Sequence, residues 1–292
     1  MVVFLPLKFQ FISMPCGCGI QTKAASLVRS LALACTQRHG FGSMSAGVYD
    51  TAWVAMIEKT VNNKKEFLFP ECFQFLLESQ LHDGSWQRYA SDVDGILNTL
   101  AALLALKKHM GTMGLQSDDL ASRCSKAENS LQAMLGKWDV GAADHVGFEI
   151  LVPGLLRLLE AERIFFNFPG RKLLMDLNAA KLARFDVNIF YKPIPITLVH
   201  SLEAFVGTLD FDRVIHYKAN GAMMASPSST AAYLINCSVW DEEAEAYLRT
   251  VLNSAQGANK RSLPCAFPTT IFELSWVWPF NSIFYLGLTS IR

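Results

Sequence analysis

Charge is scarce in this chain. Only 18% of its 292 residues are charged, against 51% hydrophobic, and 26 basic residues balance 26 acidic ones to a formal net charge of zero. No basic run interrupts that balance, so the chain lacks the electrostatic footprint of a nucleic-acid partner. Low charge with high apolar content also excludes disorder and implies much buried surface. Beyond Pro15 no run of about 18 apolar residues occurs, which argues against a membrane span. Sustained two-residue alternation is missing too, so the chain reads as almost all-α. Its length suits one large domain or two medium ones.

Cysteine shows no pairing pattern. The seven cysteines (16, 18, 35, 72, 124, 237 and 265) are scattered and odd in number. That fits reduced, mostly buried thiols in a cytoplasmic protein. Cys16-Gly17-Cys18 is the only close pair, and as a metal site it lacks a partner cluster. Residues 1–15 are apolar, but Pro6, Lys8 and Gln10 interrupt them and no charged n-region precedes them. They read as a leader or a misassigned start rather than a signal peptide.

What is present is helical periodicity. It predicts helices over residues 21–36, 117–135, 150–161 and 173–182, with Pro153 in the first turn of the third. A short element spans 49–58, and a polar turn lies around Asn62 and Asn63. Pro70 opens a helix at the position where a missing amide hydrogen costs nothing. Phe73, Leu76, Leu77 and Leu81 form its apolar face, and His82-Asp83-Gly84-Ser85 ends it. Asp92 and Asp94 precede a helix striped by Ile96, Leu100, Leu103 and Leu104. Further helices are predicted at 197–205, after the Ser226-Pro227 start signal, and at 241–252. Paired helices joined by short turns suit an α/α-barrel.

Two phrases carry a family resemblance: Ser45-Ala46-Gly47-Val48-Tyr49-Asp50-Thr51-Ala52-Trp53-Val54-Ala55 and Gln80-Leu81-His82-Asp83-Gly84-Ser85-Trp86. Gln80 suits tying backbone groups at a turn, and Trp86 suits covering a helix end. Further segments follow in order: Asp92 to Leu100, Asp144 to Pro153, Ile194 to Glu203, Ser226 to Ala232, and Phe267 to Glu273. This text resembles the class II diterpene cyclases, of the fungal copalyl diphosphate and kaurene synthase type. The resemblance implies an all-α fold. It places an α/α-barrel γ domain at 66–265 and the first piece of a β domain at 45–65, after a leader and helix at 1–44. The β domain would resume at 266–292 and be incomplete there. Beyond Val277 the text departs from the family, and the expectation is a retained intron, a frameshift or a premature stop.

The resemblance also implies a chemistry. Such enzymes protonate an alkene of geranylgeranyl diphosphate with a buried Asp-x-Asp-Asp acid, giving a copalyl diphosphate. The resulting cation needs shielding and aromatic faces, and a base must finish the reaction. No Asp-x-Asp-Asp occurs in these residues. Asp92-Val93-Asp94-Gly95 stops one carboxylate short, and Asp118-Asp119-Leu120-Ala121-Ser122 fails as the Asp-Asp-x-x-Asp of class I metal chemistry. His200 matches the histidine that positions the water base in plant members; the other reading is a structural histidine bonded near Thr197 or Ser201. Cys265 stands where the plant partner asparagine would be. Asp139 and Asp144 match an acidic cluster that influences magnesium and diphosphate; the other reading is a solvated loop. The expectation is a piece of a magnesium-dependent cyclase, inactive as encoded. The alternative is a non-catalytic protein that binds a prenyl diphosphate or a cyclase chain. An unrelated α/α-barrel hydrolase would need paired carboxylates in a cleft, and the ordered family text argues against it.

Overall fold

A computed structural model of the chain describes residues 45–269, apart from 90, 114–117, 144, 185 and 255–260, together with the single residue 26. Ser43–Thr269 forms one compact unit; Met1–Gly42 with Thr270–Arg292 forms a second, of which only Ser26 is described. The helix expected at 21–36, the Cys16–Cys18 pair and the aberrant tail therefore lie outside the described residues.

Eight α-helices build the described unit: α1 (Val48–Ala55), α2 (Pro70–Ser79), α3 (Asp92–Met113), α4 (Asp118–Lys137), α5 (Phe148–Ala161), α6 (Arg171–Leu182), α7 (Pro227–Asn236) and α8 (Glu242–Ser254). Strands are short and pair two by two. β1 (Ala46–Gly47) runs antiparallel to β6 (Leu263–Pro264), β2 (Glu58–Val61) to β3 (Lys64–Phe67), and β4 (Lys218–Ala219) to β5 (Ala222–Met223). The all-α expectation holds.

The helix α3 is the hub. Every side chain from Leu100 to Leu106 is buried, and α1, α4 and α5 pack around it. A helix apolar on all sides belongs inside a domain. Its start differs from the sequence reading, because Asp92 and Asp94 lie in its first turn rather than ahead of it. Ser91 N–H donates to Asp94 Oδ2 (3.0 Å), and Asp94 N–H donates to Ser91 Oγ (3.4 Å). This reciprocal pair satisfies two amides, and carboxylates are favoured at the positive end of a helix.

The helix α5 also begins earlier than expected, at Phe148, so Pro153 sits in its second turn. Proline has no N–H to give the carbonyl four residues back, which is that of Glu149. Asn178 Nδ2 on α6 donates to that carbonyl instead, at 2.6 Å. The helix expected at 197–205 is a 3-10 segment, Thr197–Phe205, broken by Ser201 at φ −136°, ψ 40°. The polar turn at Asn62-Asn63 closes the β2–β3 hairpin, with both residues at positive φ, as a tight two-residue hairpin turn requires.

Candidate functional site

A cavity of about 480 Å³ opens beside the first turn of α1. Tyr49 and Asp50 reach it from α1, and Asp94, Leu97 and Asn98 from α3. His200, Ser201 and Glu203 come from the 3-10 segment, and Ser228 from the first turn of α7. His145, Val146 and Cys265 complete the named wall. No Lys or Arg belongs to this wall among the described residues.

Local hydrogen bonds explain how α1 is aimed at the cavity. The first amides of a helix have no partner within it. Tyr49 N–H donates to Asn98 Oδ1 (3.2 Å), and Asn98 Nδ2 donates to Gln87 O (2.8 Å), so α3 completes the start of α1. Thr51 Oγ1 donates to Gly47 O (2.6 Å) and accepts from Leu263 N–H (2.9 Å), which ties the β1–β6 pair to the same turn.

Two buried carboxyl groups face Ser228 behind that turn. Tyr49 Oη donates to Glu203 Oε1 (3.1 Å), and Ser229 Oγ donates to Glu203 Oε2 (2.8 Å). Ser228 N–H donates to Asp50 Oδ1 (3.3 Å). Burial pushes Asp50 up to about 7; the Ser228 hydrogen bonds oppose the shift and the charge of Glu203 adds to it. Burial likewise pushes Glu203 up to about 7, against its hydrogen bonds. The Tyr49 hydroxyl rises well above its usual range, first by burial and then by the charges of Glu203 and Asp50. Carboxyl groups shifted toward neutrality can hold or release a proton there.

His200 is an exposed side chain on the cavity wall, and desolvation by the protein around it lowers its pKa, which favours the neutral ring. A neutral ring can both donate to and accept from a water. His145 Nδ1 lies 3.3 Å from Asp94 Oδ1 at the same cavity. Cys265 brings an exposed thiol that desolvation by the surrounding protein, then the charge of Asp50, pushes up to about 11, so it is protonated at neutral pH.

Of the two magnesium candidates, Asp139 does not belong to this wall. Asp139 is exposed and caps the 3-10 turn Val140–Ala142, accepting from Gly141 N–H (3.0 Å) and Ala142 N–H (3.3 Å). Asp144 lies outside the described residues. Among the described residues no three His, Cys, Asp or Glu side chains converge as metal ligands. The donor set in view thus does not make a magnesium cage.

Of the sequence candidates, His200 reaches the cavity. Asp50, Asp94, Asn98, His145 and Glu203 were not singled out, although each except Asn98 carries ionisable chemistry. All of them lie within the quoted family phrases, which read as scaffold text until the fold brings them together.

No protein-family model matches the chain. A copalyl diphosphate synthase of Talaromyces verruculosus is 49% identical over 272 residues, which is 92% of this chain and 28% of that protein. A phyllocladan-16-alpha-ol synthase of Phomopsis amygdali is 48% identical over 273 residues, 91% of this chain and 27% of its own length. Among solved structures, the ent-copalyl diphosphate synthase of Arabidopsis thaliana superposes with a TM-score of 0.69 at 29% identity. That match covers 87% of this chain and 35% of the plant protein, whose structure holds (S)-15-aza-14,15-dihydrogeranylgeranyl thiolodiphosphate.

The chain belongs to the class II diterpene cyclase family.

As a diterpene cyclase chain it has the all-α terpene cyclase fold. It spans 28% of the length of the first of these curated relatives and 27% of the second. Within the described residues no helix is long and apolar enough to cross a membrane.

Proposed function

We propose that this chain forms one wall of a class II cyclase pocket, shaped for the hydrocarbon part of a prenyl diphosphate such as geranylgeranyl diphosphate. The observation that carries this reading is the cavity at His200, where α1, α3, α7 and the 3-10 segment converge. On this reading residues 66–265 are the γ domain and residues 45–65 the first piece of the β domain. The reaction served is cyclisation to a copalyl diphosphate in diterpenoid biosynthesis.

Each residue has a limited role in that proposal. His200 holds the water that takes up the final proton, its neutral ring favoured by desolvation. Cys265 cannot replace an asparagine there, because a thiol lacks the donor and acceptor pair of an amide. Tyr49 and Tyr89 line the cavity and offer aromatic faces to a developing cation. The initiating acid is absent from these 292 residues, and carboxyls near pKa 7 are far too weak to protonate an alkene. The chain itself therefore starts no cyclisation.

The test uses the purified chain with labelled geranylgeranyl diphosphate, with and without magnesium. Saturable binding is expected, with no bicyclic diphosphate above background. Val146 is 92% exposed at the cavity rim, so Val146→Trp should block entry without a folding cost and weaken binding at least tenfold. Product formation would overturn the inactivity, and absence of saturable binding would overturn the pocket. A second reading is a non-catalytic binder of a prenyl diphosphate or of a cyclase chain. It is favoured by Tyr89 and Val146, two apolar side chains left exposed beside the cavity. Stable co-purification with a cyclase chain would select it.

A further inference from the structure

The carboxyls of Asp50 and Glu203 present a charge problem that the proposed pocket does not use. They come from elements far apart in sequence, α1 and the 3-10 segment, and both end on the first turn of α7. Asp50 is 3% exposed and Glu203 is 2% exposed. Their partners are the amide and hydroxyl of Ser228, the Tyr49 phenol and the Ser229 hydroxyl. All are neutral donors, and neither carboxyl has a Lys, Arg or His within ion-pair distance among the described residues.

The titratable groups facing the pair do not compensate. Tyr49 adjoins it on α1, Tyr247 faces Asp50 from α8, and Cys265 faces it from beyond β6. Each is neutral or, if ionised, negative. Across the cavity, desolvation favours the neutral ring of His200, and His145 lies against Asp94. Nothing in this set can neutralise two buried anions. A pair of carboxylates so placed ionises in two steps that belong to the pair, with the second strongly disfavoured.

We infer that Asp50 and Glu203 form a buried proton site in which one of the two carboxyls stays protonated at neutral pH, because a second negative charge between α1, the 3-10 segment and α7 would have no counter-charge. One carboxyl is a carboxylate facing the amide end of α7, where the helix dipole favours a negative charge. The other is an uncharged acid that can donate as well as accept. Ionising it places a second negative charge beside Tyr49, at the cavity wall.

The sign of the effect follows from linkage. An acid whose folded pKa is raised binds more protons in the folded than in the unfolded chain. Its stabilisation is complete below the unfolded value of about 4 and is lost as pH rises through the folded value. Buried His109, with its pKa lowered, acts in the opposite direction, so the pair is read from differences between proteins.

The experiment compares the wild-type chain with Asp50→Asn and Glu203→Gln. Both substitutions preserve shape and replace an acid with an amide that still donates. In infrared difference spectra at neutral pH, wild type minus each variant should contain the carbonyl band of an uncharged carboxylic acid. That band should vanish as pH is raised. The urea midpoint of the wild type should fall, relative to each variant, between about pH 4 and pH 8. Absence of the acid band in both differences, or parallel midpoint curves, would overturn the proton site. If either variant does not fold, wild-type protein carrying carboxyl-13C Asp and Glu replaces it. Two coupled carboxyl resonances titrating near neutrality support the site, and carboxyls that all titrate below about pH 5 refute it.

Discussion

At Gly84 the backbone takes φ +90°, and a β-carbon there would lie 2.4 Å from the carbonyl carbon of Lys126. The residue closes the turn after α2 directly against α4. Around it, Gln80 Nε2 donates to Gly84 O (3.0 Å) and Arg123 O (3.1 Å), and Arg123 Nη1 donates to Leu77 O (2.8 Å). Trp86, buried alongside, donates Nε1–H to Leu76 O at 2.9 Å. Gly84→Ala therefore combines left-handed strain of about 1–3 kcal/mol with an overpacking cost of similar size. A β-carbon at Gly111, inside α3, meets nothing within 4 Å, so Gly111→Ala should stabilise by about 0.5–1 kcal/mol through helix propensity alone. Urea melts of the two variants test the contrast, and similar effects would contradict it. His109 supplies a pH signal at the same scale. Its ring stacks between Phe67 and Phe73, and its Nε2 lies 2.8 Å from Ala55 O, which fixes the proton on Nε2. Burial lowers its pKa to about 4. Its contribution to stability is thus present above the unfolded value of about 6.5 and lost as pH falls toward 4. In His109→Phe the midpoint should lose that acid-side dependence.

Elements fail or hold through their ends. Ser226 is fully buried, and its Oγ accepts from Ser229 N–H (3.2 Å) at the start of α7. Ser226→Ala should cost about 1–2 kcal/mol, the range for a lost N-cap, and lower the thermal midpoint by a few degrees. An unchanged midpoint would show that the cap is not holding α7. This cap was legible in the sequence, as were Pro70 at the start of α2 and the Gln80 tie, because each is set by a few neighbouring residues. The β2–β3 hairpin was half legible: Asn62-Asn63 marked a turn, but its exposed, charged strands carry no apolar alternation. The 3-10 character of Thr197–Phe205 was not legible. Its apolar spacing suits a helix, and the break at Ser201 arises where Leu202 N–H takes Ser229 Oγ (3.0 Å) as its acceptor, a tertiary partner. The same limit hid the carboxyl pair. Tyr49 and Glu203 stand 154 positions apart, and no local pattern announces that they touch.

The described unit is closed as a whole by its two chain ends. The segment after Arg261 returns to α1, where β6 pairs with β1 and Leu263 N–H meets Thr51. Further along, Phe267 N–H donates to Ala225 O (2.8 Å), and Tyr247 Oη donates to Phe267 O (2.8 Å). Arg261 pairs with Glu78 on α2 at 2.8 Å. With α1 itself buried against α2, α3 and α7, residues 45–65 share one apolar core with the rest of Ser43–Thr269. A shared core predicts cooperative unfolding, even though these residues are proposed to begin a different domain. Thr51→Val is the sharpest probe, because it keeps the shape of the side chain while removing both hydrogen bonds of Thr51. Leu263 N–H then loses its acceptor, at about 1–3 kcal/mol for a buried group left unsatisfied. In native-state hydrogen exchange, the amides of α1 and of α3 should lose protection by the same amount. If α1 alone were loosened while α3 kept its wild-type protection, residues 45–65 would be a separable unit and the single core would be disproved.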